Sequence, residues 1–368
     1  VNFAHLADGT VGDDFLNPPG RLGGLALVAH LRGDTCLAGG LGQQVHLFNV
    51  VSERFLAIDI LSRIEVIDHV AADRDGLVRV SDDPPVSVNR RFAEADFRIV
   101  TGYIEPHFMA GFSGGRKTVC PGLAGLETIR HFHGRSFLDD PHARNGLLAD
   151  NPLHAEALSI ARAVGVDYAL DVVLEQEHRI VRAFAGALEE SHRAACDMVS
   201  RCACRPVKEP ADLVITSSGG APLDDTFYQC VKGFVSALGA VREGGVIVAV
   251  GGCAEGVGSP GYTELLKRYC GRWPEFLRGI RAPDFFVKDQ WQFQAHTRAL
   301  EKIGVENLHF VTPGLPADEL ALLSVTPHAV VPGELQAALQ SLVDGLSEQA
   351  ETVAVIPEGP YCAPISTE

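Results

Sequence analysis

Two α/β domains with largely parallel sheets are what this sequence predicts, on three observations. Short apolar runs alternate with helical patterns along most of the chain, the signature of β–α units on a parallel sheet. At 368 residues the chain exceeds the size over which one hydrophobic core keeps growing, which favours two domains. The periodicity breaks at Arg205-Pro-Val-Lys-Glu-Pro210, and a new strand then runs into glycines over residues 213–220. The boundary falls there, giving an N-terminal domain over 1–207 and a C-terminal one over 208–347, with the segment 348–368 able to join either.

The first fifty residues carry clustered glycines and Asn17-Pro-Pro-Gly20 with weak apolar periodicity. Residues 97–104 (FRIVTGYI) read as a buried strand that delivers Glu105-Pro-His107 at its carboxyl end, where ligands gather in open α/β sheets. Residues 126–132 read as a helix. At ~100° per residue, His131 and His133 then project about 200° apart, so only one of them shares a site with Lys117. Asn151-Pro152 reads as a cap followed by a first-turn proline. Residues 168–174 and 180–184 read as a strand pair. In the second domain the pattern continues as helix 226–241, strand 246–250, glycine loop 251–258, helix 288–303 and strand 309–312. A helix over 334–347 and a strand over 352–356 close the chain.

Composition narrows the function classes. A formal net charge of -16, from 31 basic against 47 acidic residues, argues against a nucleic-acid surface, so an anionic substrate must meet local positive charge. No apolar run is long enough to span a bilayer and no basic-then-apolar leader opens the chain, so a cytoplasmic protein without a membrane partner is expected. The nine cysteines are scattered, and reduced thiols are expected; Cys202-Ala-Cys204 reads as a helix end in preference to a metal site.

Nucleophile, base and metal-ligand chemistry converge in one stretch, His107-Phe-Met-Ala-Gly-Phe-Ser-Gly-Gly-Arg-Lys117, with His131 and His133 downstream. Ser113-Gly114-Gly115 allows a tight turn and close approach to a ligand, since glycine has no Cβ. Taken alone, the run suggests an anion cradle. It is not a Walker A loop, because Arg116 stands where that motif needs its second glycine. Imidazole serves both as a base near neutral pH and as a ligand for nickel, copper or zinc.

Glu105-Pro-His-x-x-Ala-Gly-Phe-Ser-Gly-Gly-Arg-Lys117, followed by Pro121-Gly122 and Glu127-Thr-Ile129…His133, resembles the signature of the lactate racemase family, the nickel-pincer-nucleotide racemases and epimerases of 2-hydroxy acids. The similarity runs from about residue 67 to 364 and includes Tyr228-Gln229-x-x-Lys232 and Asp289-Gln-Trp291-Gln. It implies an active-site cleft between the two domains. It also implies that Lys117, within the loop Ser113, Gly114 and Gly115, holds a pyridinium mononucleotide with two sulfur-bearing arms, that His133 completes square-planar nickel, and that Trp291 lies near this cofactor. His107 would be one of two general bases that take the substrate hydroxyl proton while hydride leaves for the cofactor. Gln229 and Lys232, three apart on a predicted helix, would meet the substrate carboxylate. Cofactor-making enzymes would be partners in maturation.

Upstream, the family's Ala-Thr-Gly-x-His segment is matched only by Ala38-Gly-Gly-Leu41, with Gly42 where the second catalytic histidine is expected. His46, four residues later, is the candidate second base. Two other readings stand beside the racemase: a non-catalytic relative that binds a nucleotide or organic acid, and a zinc hydrolase using His131 and His133, which gives Lys117 no role.

Overall fold

The computed structural model describes residues 25–29 (backbone only), 67, 69–175, 179–282 and 285–367. Two separate sheets carry the architecture. In the first, strands β1 (Leu25–Ala29), β2 (Phe97–Tyr103), β3 (Tyr168–Leu174) and β4 (Ile180–Gly186) lie side by side in that order. The first three are parallel, and β4 runs antiparallel to β3. The alternation of β3 turns Ala169, Asp171 and Val173 inward. The connection from β2 to β3 carries helices α1 (Arg116–Val119), α2 (Leu126–Phe132) and α3 (Pro152–Val164). Asn151 caps α3 by accepting a hydrogen bond from the His154 amide, and Pro152 occupies the first turn. Helix α4 (Leu188–Ala203) packs against β3 and β4. Cys202 lies in its last turn and Cys204 opens the next strand, matching the helix-end reading.

The second sheet is fully parallel. Strands β5 (Ala211–Ser217), β6 (Val241–Val250), β7 (Leu308–Thr312), β8 (Thr326–Ala329) and β9 (Val353–Ile356) are arranged in the order β8-β7-β6-β5-β9. Both faces are covered, as a parallel sheet requires. Leu213, Val248 and Val311 meet Leu335, Leu339, Leu342 and Leu346 of the tail helix Leu335–Ser347. One residue out of phase, Val214, Ile247, Ala249 and Phe310 belong to the main core with α5 (Phe227–Ala237) and α6 (Gln290–Ile303). The tail is shared: β9 completes the second sheet, whereas Ala363–Ser366 pairs in parallel with Cys204–Val207 at the junction of the two halves.

Some elements were not legible in the pattern. Pro260–Tyr269 and Trp273–Gly279 are helices within a stretch punctuated by glycine and proline. Thr326–Ala329 contains Pro327, which reads as a breaker but is tolerated because β8 is an edge strand.

Polar contacts cross between the halves. Asn145 donates to Ser236 Oγ at 3.0 Å, Gln294 to Asp139 Oδ1 at 2.7 Å, and Arg298 to the Ala143 carbonyl at 2.9 Å as well as to the Leu138 carbonyl. They hold the carboxyl end of β2 opposite the face formed by α5 and α6.

Candidate active site

Strand β2 ends at Tyr103, and the chain folds into a small antiparallel pair, Pro106–His107 against Gly111–Phe112, before the glycine turn and α1. Only glycine fits this turn. Gly114 has φ +64° and Gly115 φ +53°, and a Cβ on Gly115 would stand 2.4 Å from His192 Cδ2. Ser113 Oγ donates to the Tyr103 carbonyl at 2.8 Å and accepts from the Glu105 amide at 2.9 Å, tying the turn to the strand end. The Gly115 amide donates to Asp171 Oδ1 at 3.1 Å, and the Lys117 and Thr118 amides bond to the carbonyls of Gly114 and Gly115. These donors serve the loop itself, so the anion-cradle reading does not hold for them.

A buried cation holds the loop from behind. Arg116, 1% exposed, donates to the carbonyls of Ala110 (2.7 Å), Ser113 (3.3 Å) and Gly114 (3.4 Å), and its Nη1 lies 2.6 Å from His192 Nε2. Burial lowers the Arg116 pKa to about 10, which still leaves it charged at neutral pH. Burial, and secondarily Arg116, pushes His192 well below its ordinary value, so its neutral ring accepts from the guanidinium. Burial also raises Asp171 to about 6, against the opposing pull of the Gly115 amide and Arg116.

In front of this loop lies a narrow cavity, partly open to solvent, lined from both halves of the molecule. His107, Lys117 and His133 come from the N-terminal side; Tyr228, Lys232, Trp291 and Gln292 come from α5 and α6. Lys117 and Lys232 are both buried, and together they bring two amino groups to a cavity in an acidic protein. His133 caps the end of α2, and its Nδ1 lies 3.1 Å from the Ile129 carbonyl. That contact places the ring proton on Nδ1 and the lone pair on Nε2, the arrangement of a metal-binding imidazole. Trp291 stacks on the His133 ring with centroids 4.6 Å apart at 29°, and donates from Nε1 to Tyr228 Oη at 3.2 Å. Gln292 donates to the Tyr228 carbonyl at 2.5 Å.

The structure therefore brings His107, Lys117, His133, Lys232 and Trp291 to one cavity. Ser113, Gly114 and Gly115 shape the loop behind Lys117 and are not among the lining residues; Gln229 lies on α5 but does not line the cavity either, and Gln292 does. His131 turns away, as the helical geometry predicts, and pairs with Glu156 at 3.2 Å. His131 and His133 thus meet different partners, Glu156 and the Ile129 carbonyl. His46 and Gly42 lie outside the described residues.

Sequence reasoning assigned no role to Tyr228 and Gln292, although both stood inside the quoted motifs. It also overlooked Asp171, which accepts from the Gly115 amide, and His192, which meets Arg116. A carboxylate on the inward phase of a buried strand was the available signal for Asp171.

Comparison with known proteins identifies the family. Residues 52–146 match the family model of the lactate racemase N-terminal domain, and residues 207–361 match that of the lactate racemase C-terminal domain. The chain is 34% identical over 307 residues to the lactate racemase of Thermoanaerobacterium thermosaccharolyticum, covering 82% of this chain and 70% of that protein. It is 34% identical over 306 residues to the lactate racemase of Lactiplantibacillus plantarum, with the same coverage. The structure of the lactate racemase apoprotein from T. thermosaccharolyticum superposes with a TM-score of 0.77 at 30% identity, over 87% of this chain and 75% of that one. A Thermotoga maritima protein shares the fold at a TM-score of 0.59 and 18% identity, over 82% of this chain and 78% of that one. The chain belongs to the lactate racemase family.

Proposed function

We propose that this protein is a racemase or epimerase of a 2-hydroxy acid that works with a nickel-pincer nucleotide carried on Lys117. The observation that supports it most strongly is one cavity lined by a buried lysine, an imidazole with its lone pair on Nε2, a second imidazole and a second lysine, contributed by both halves of the fold. When bound, the group supplies a reversible acceptor for the hydride on the substrate's reacting carbon.

The residues present suit that group. Lys117 would hold it covalently and His133 Nε2 would ligate nickel, a metal that accepts imidazole beside soft sulfur. The hydrogen bond from Nδ1 to the Ile129 carbonyl fixes the His133 ring for that task. Trp291, stacked on His133 and bonded to Tyr228, closes one side and excludes water. Lys232 would receive the substrate carboxylate, aligning the reacting carbon and its hydroxyl. The substrate is a small organic acid, and enzymes that build the nucleotide are partners in maturation.

The test is intact-mass and metal analysis of protein co-produced with the cofactor-making enzymes, and then a racemisation screen over 2-hydroxy acids. Added mass localised to Lys117, with nickel near one per chain, is expected. A chain that stays unmodified and metal-free while a family member produced alongside is loaded would sink the reading. Replacing His46 with alanine in the loaded enzyme tests whether it is the second base, through loss of racemisation.

A further inference from the structure

We infer that a small organic carboxylate binds in a second cavity, on the reverse side of the Lys117 loop, as the counter-ion of the buried Arg116 guanidinium. This cavity shares no lining residue with the one in front of the loop, and the inference stands apart from the racemase reading.

A buried charge is ordinarily paired, because taking it out of water is costly without a group of opposite sign beside it. Arg116 is almost fully buried and charged at neutral pH, yet its two terminal nitrogens meet only the carbonyls of Ala110, Ser113 and Gly114 and the neutral ring of His192. Its Nε makes no hydrogen bond. The charge of Asp171 reaches it, but Asp171 Oδ1 accepts from the Gly115 amide and not from the guanidinium. Among the described residues, no carboxylate forms an ion pair with Arg116. A water could satisfy Nε, but it would leave the charge unpaired.

The second cavity is built around that charge. Its buried side chains, Arg116, His192 and Leu188, form the floor. At the exposed edge stand Glu189 and Arg193; Arg162 holds Glu189 through contacts of 2.7 and 2.6 Å, which leaves the Arg193 guanidinium to meet an incoming anion. His154, in the first turn of α3, lines the wall with its Nδ1 buried and unpartnered. Burial lowers His154 to about 4, and Arg116, Arg193 and Arg162 add to the shift against Glu189, so the field at this wall is positive. Leu148, Leu158 and Leu188 supply the complementary surface. Guanidinium groups at floor and edge suit carboxylate oxygens, and the leucines suit a short alkyl chain, which a halide or phosphate lacks.

Occupancy acts on the loop through one residue. Arg116 directly precedes Lys117 and holds three loop carbonyls, so a counter-ion behind it offsets the cost of keeping that cation buried and leaves the front cavity untouched. A ligand that binds only the folded chain then stabilises it by mass action.

The test titrates sodium propionate into the full-length protein without cofactor, at constant ionic strength, and follows the imidazole signals by NMR, with His154 assigned by its loss in His154→Gln. A saturable shift of the His154 signal is expected, with a thermal midpoint that rises over the same concentrations. A His154 signal that does not move overturns the inference. Thermal shift then compares two variants of equal side-chain length. His154→Glu puts the chain's own carboxylate at the wall and should weaken propionate binding by about tenfold or more, whereas uncharged His154→Gln should keep it within about threefold of wild type. Equal propionate affinity in the two variants overturns the site. Chloride or inorganic phosphate moving His154 as strongly as propionate overturns the carboxylate assignment. In Lys232→Gln, which removes the cation in front of the loop, the His154 response should persist; its loss would place the propionate in the front cavity and overturn the inference. None of these readouts requires turnover, so a failure of the racemase reading leaves them standing.

Discussion

The two walls of the cavity are built by different physics. On the N-terminal side His107, Lys117 and His133 sit on irregular backbone: a two-residue strand pair, a four-residue helix and a helix cap. Polar contacts hold that backbone, from Ser113 to the strand end, from Asp171 to Gly115, and from Arg116 to the carbonyls of Ala110, Ser113 and Gly114. On the C-terminal side Tyr228, Lys232, Trp291 and Gln292 sit on α5 and α6, which are clasped by Phe227, Phe234, Phe293 and Phe310. Groups that need unusual directions are set by hydrogen bonds, which specify angle. Groups that need only a common helical face are set by apolar packing, which specifies proximity.

The largest expected effect comes from cutting the polar wall where it touches no ligand. Arg116→Met leaves three buried carbonyls without their guanidinium donor and should cost on the order of 5 kcal/mol of stability. It should also slow attachment of the nucleotide to Lys117, measured by intact mass at matched folded protein. Loading at the wild-type rate in that variant would break the comparison.

A somewhat smaller effect is expected from cutting the apolar wall. Phe293 is fully buried against Phe276 and His296, and Phe293→Ala should lower stability by about 3–5 kcal/mol in chemical denaturation. The fraction that remains folded should still load at Lys117, because no contact of the loop passes through Phe293. Loss of loading there would show that the two walls are coupled.

The smallest effect sharpens the contrast through pH. Burial lowers His296 to about 3 and His154 to about 4, and His192 falls well below its ordinary value, so all three are neutral when folded. The unfolded chain takes up these protons first. Stability fully present above pH 6.5 is therefore lost as pH falls from there toward 4, by up to about 1.4 kcal/mol per pH unit for the fully buried His296 and by less for the partly exposed His154. Asp171, raised to about 6, works in the opposite sense between about pH 6 and 4, as one group against three. Thermal midpoints measured across this range should fall with pH, and His296→Phe should flatten the slope. An unchanged slope would mean that His296 is already protonated in the folded protein.

Regular elements were readable because they obey periodicity. The strand at 97–104, the capped helix at Asn151-Pro152 and the separation of His131 from His133 come from spacing and local chemistry alone, and each matches the structure. The glycine-lysine run was legible as a site through its composition, and as a particular family through its length. Gln229 shows the limit of such reading. Its place three residues before Lys232 puts it on the same helix, yet the cavity takes Gln292 from α6, because helix rotation against a neighbour is set by packing and not by spacing along one chain.

By itself, the sequence determined which chemistry is present: two lysines, several imidazoles and a glycine turn, in an order that carries a family signature. Only the tertiary structure decided how each imidazole faces the cavity. His107 and His133 are the same residue type in one stretch, and nothing in their spacing distinguishes a ring that meets two amides from one that meets a carbonyl. A tautomer is fixed by whichever backbone group the folded chain brings to Nδ1. That partner is a property of turn geometry and packing around Arg116 and α2, which no single residue encodes.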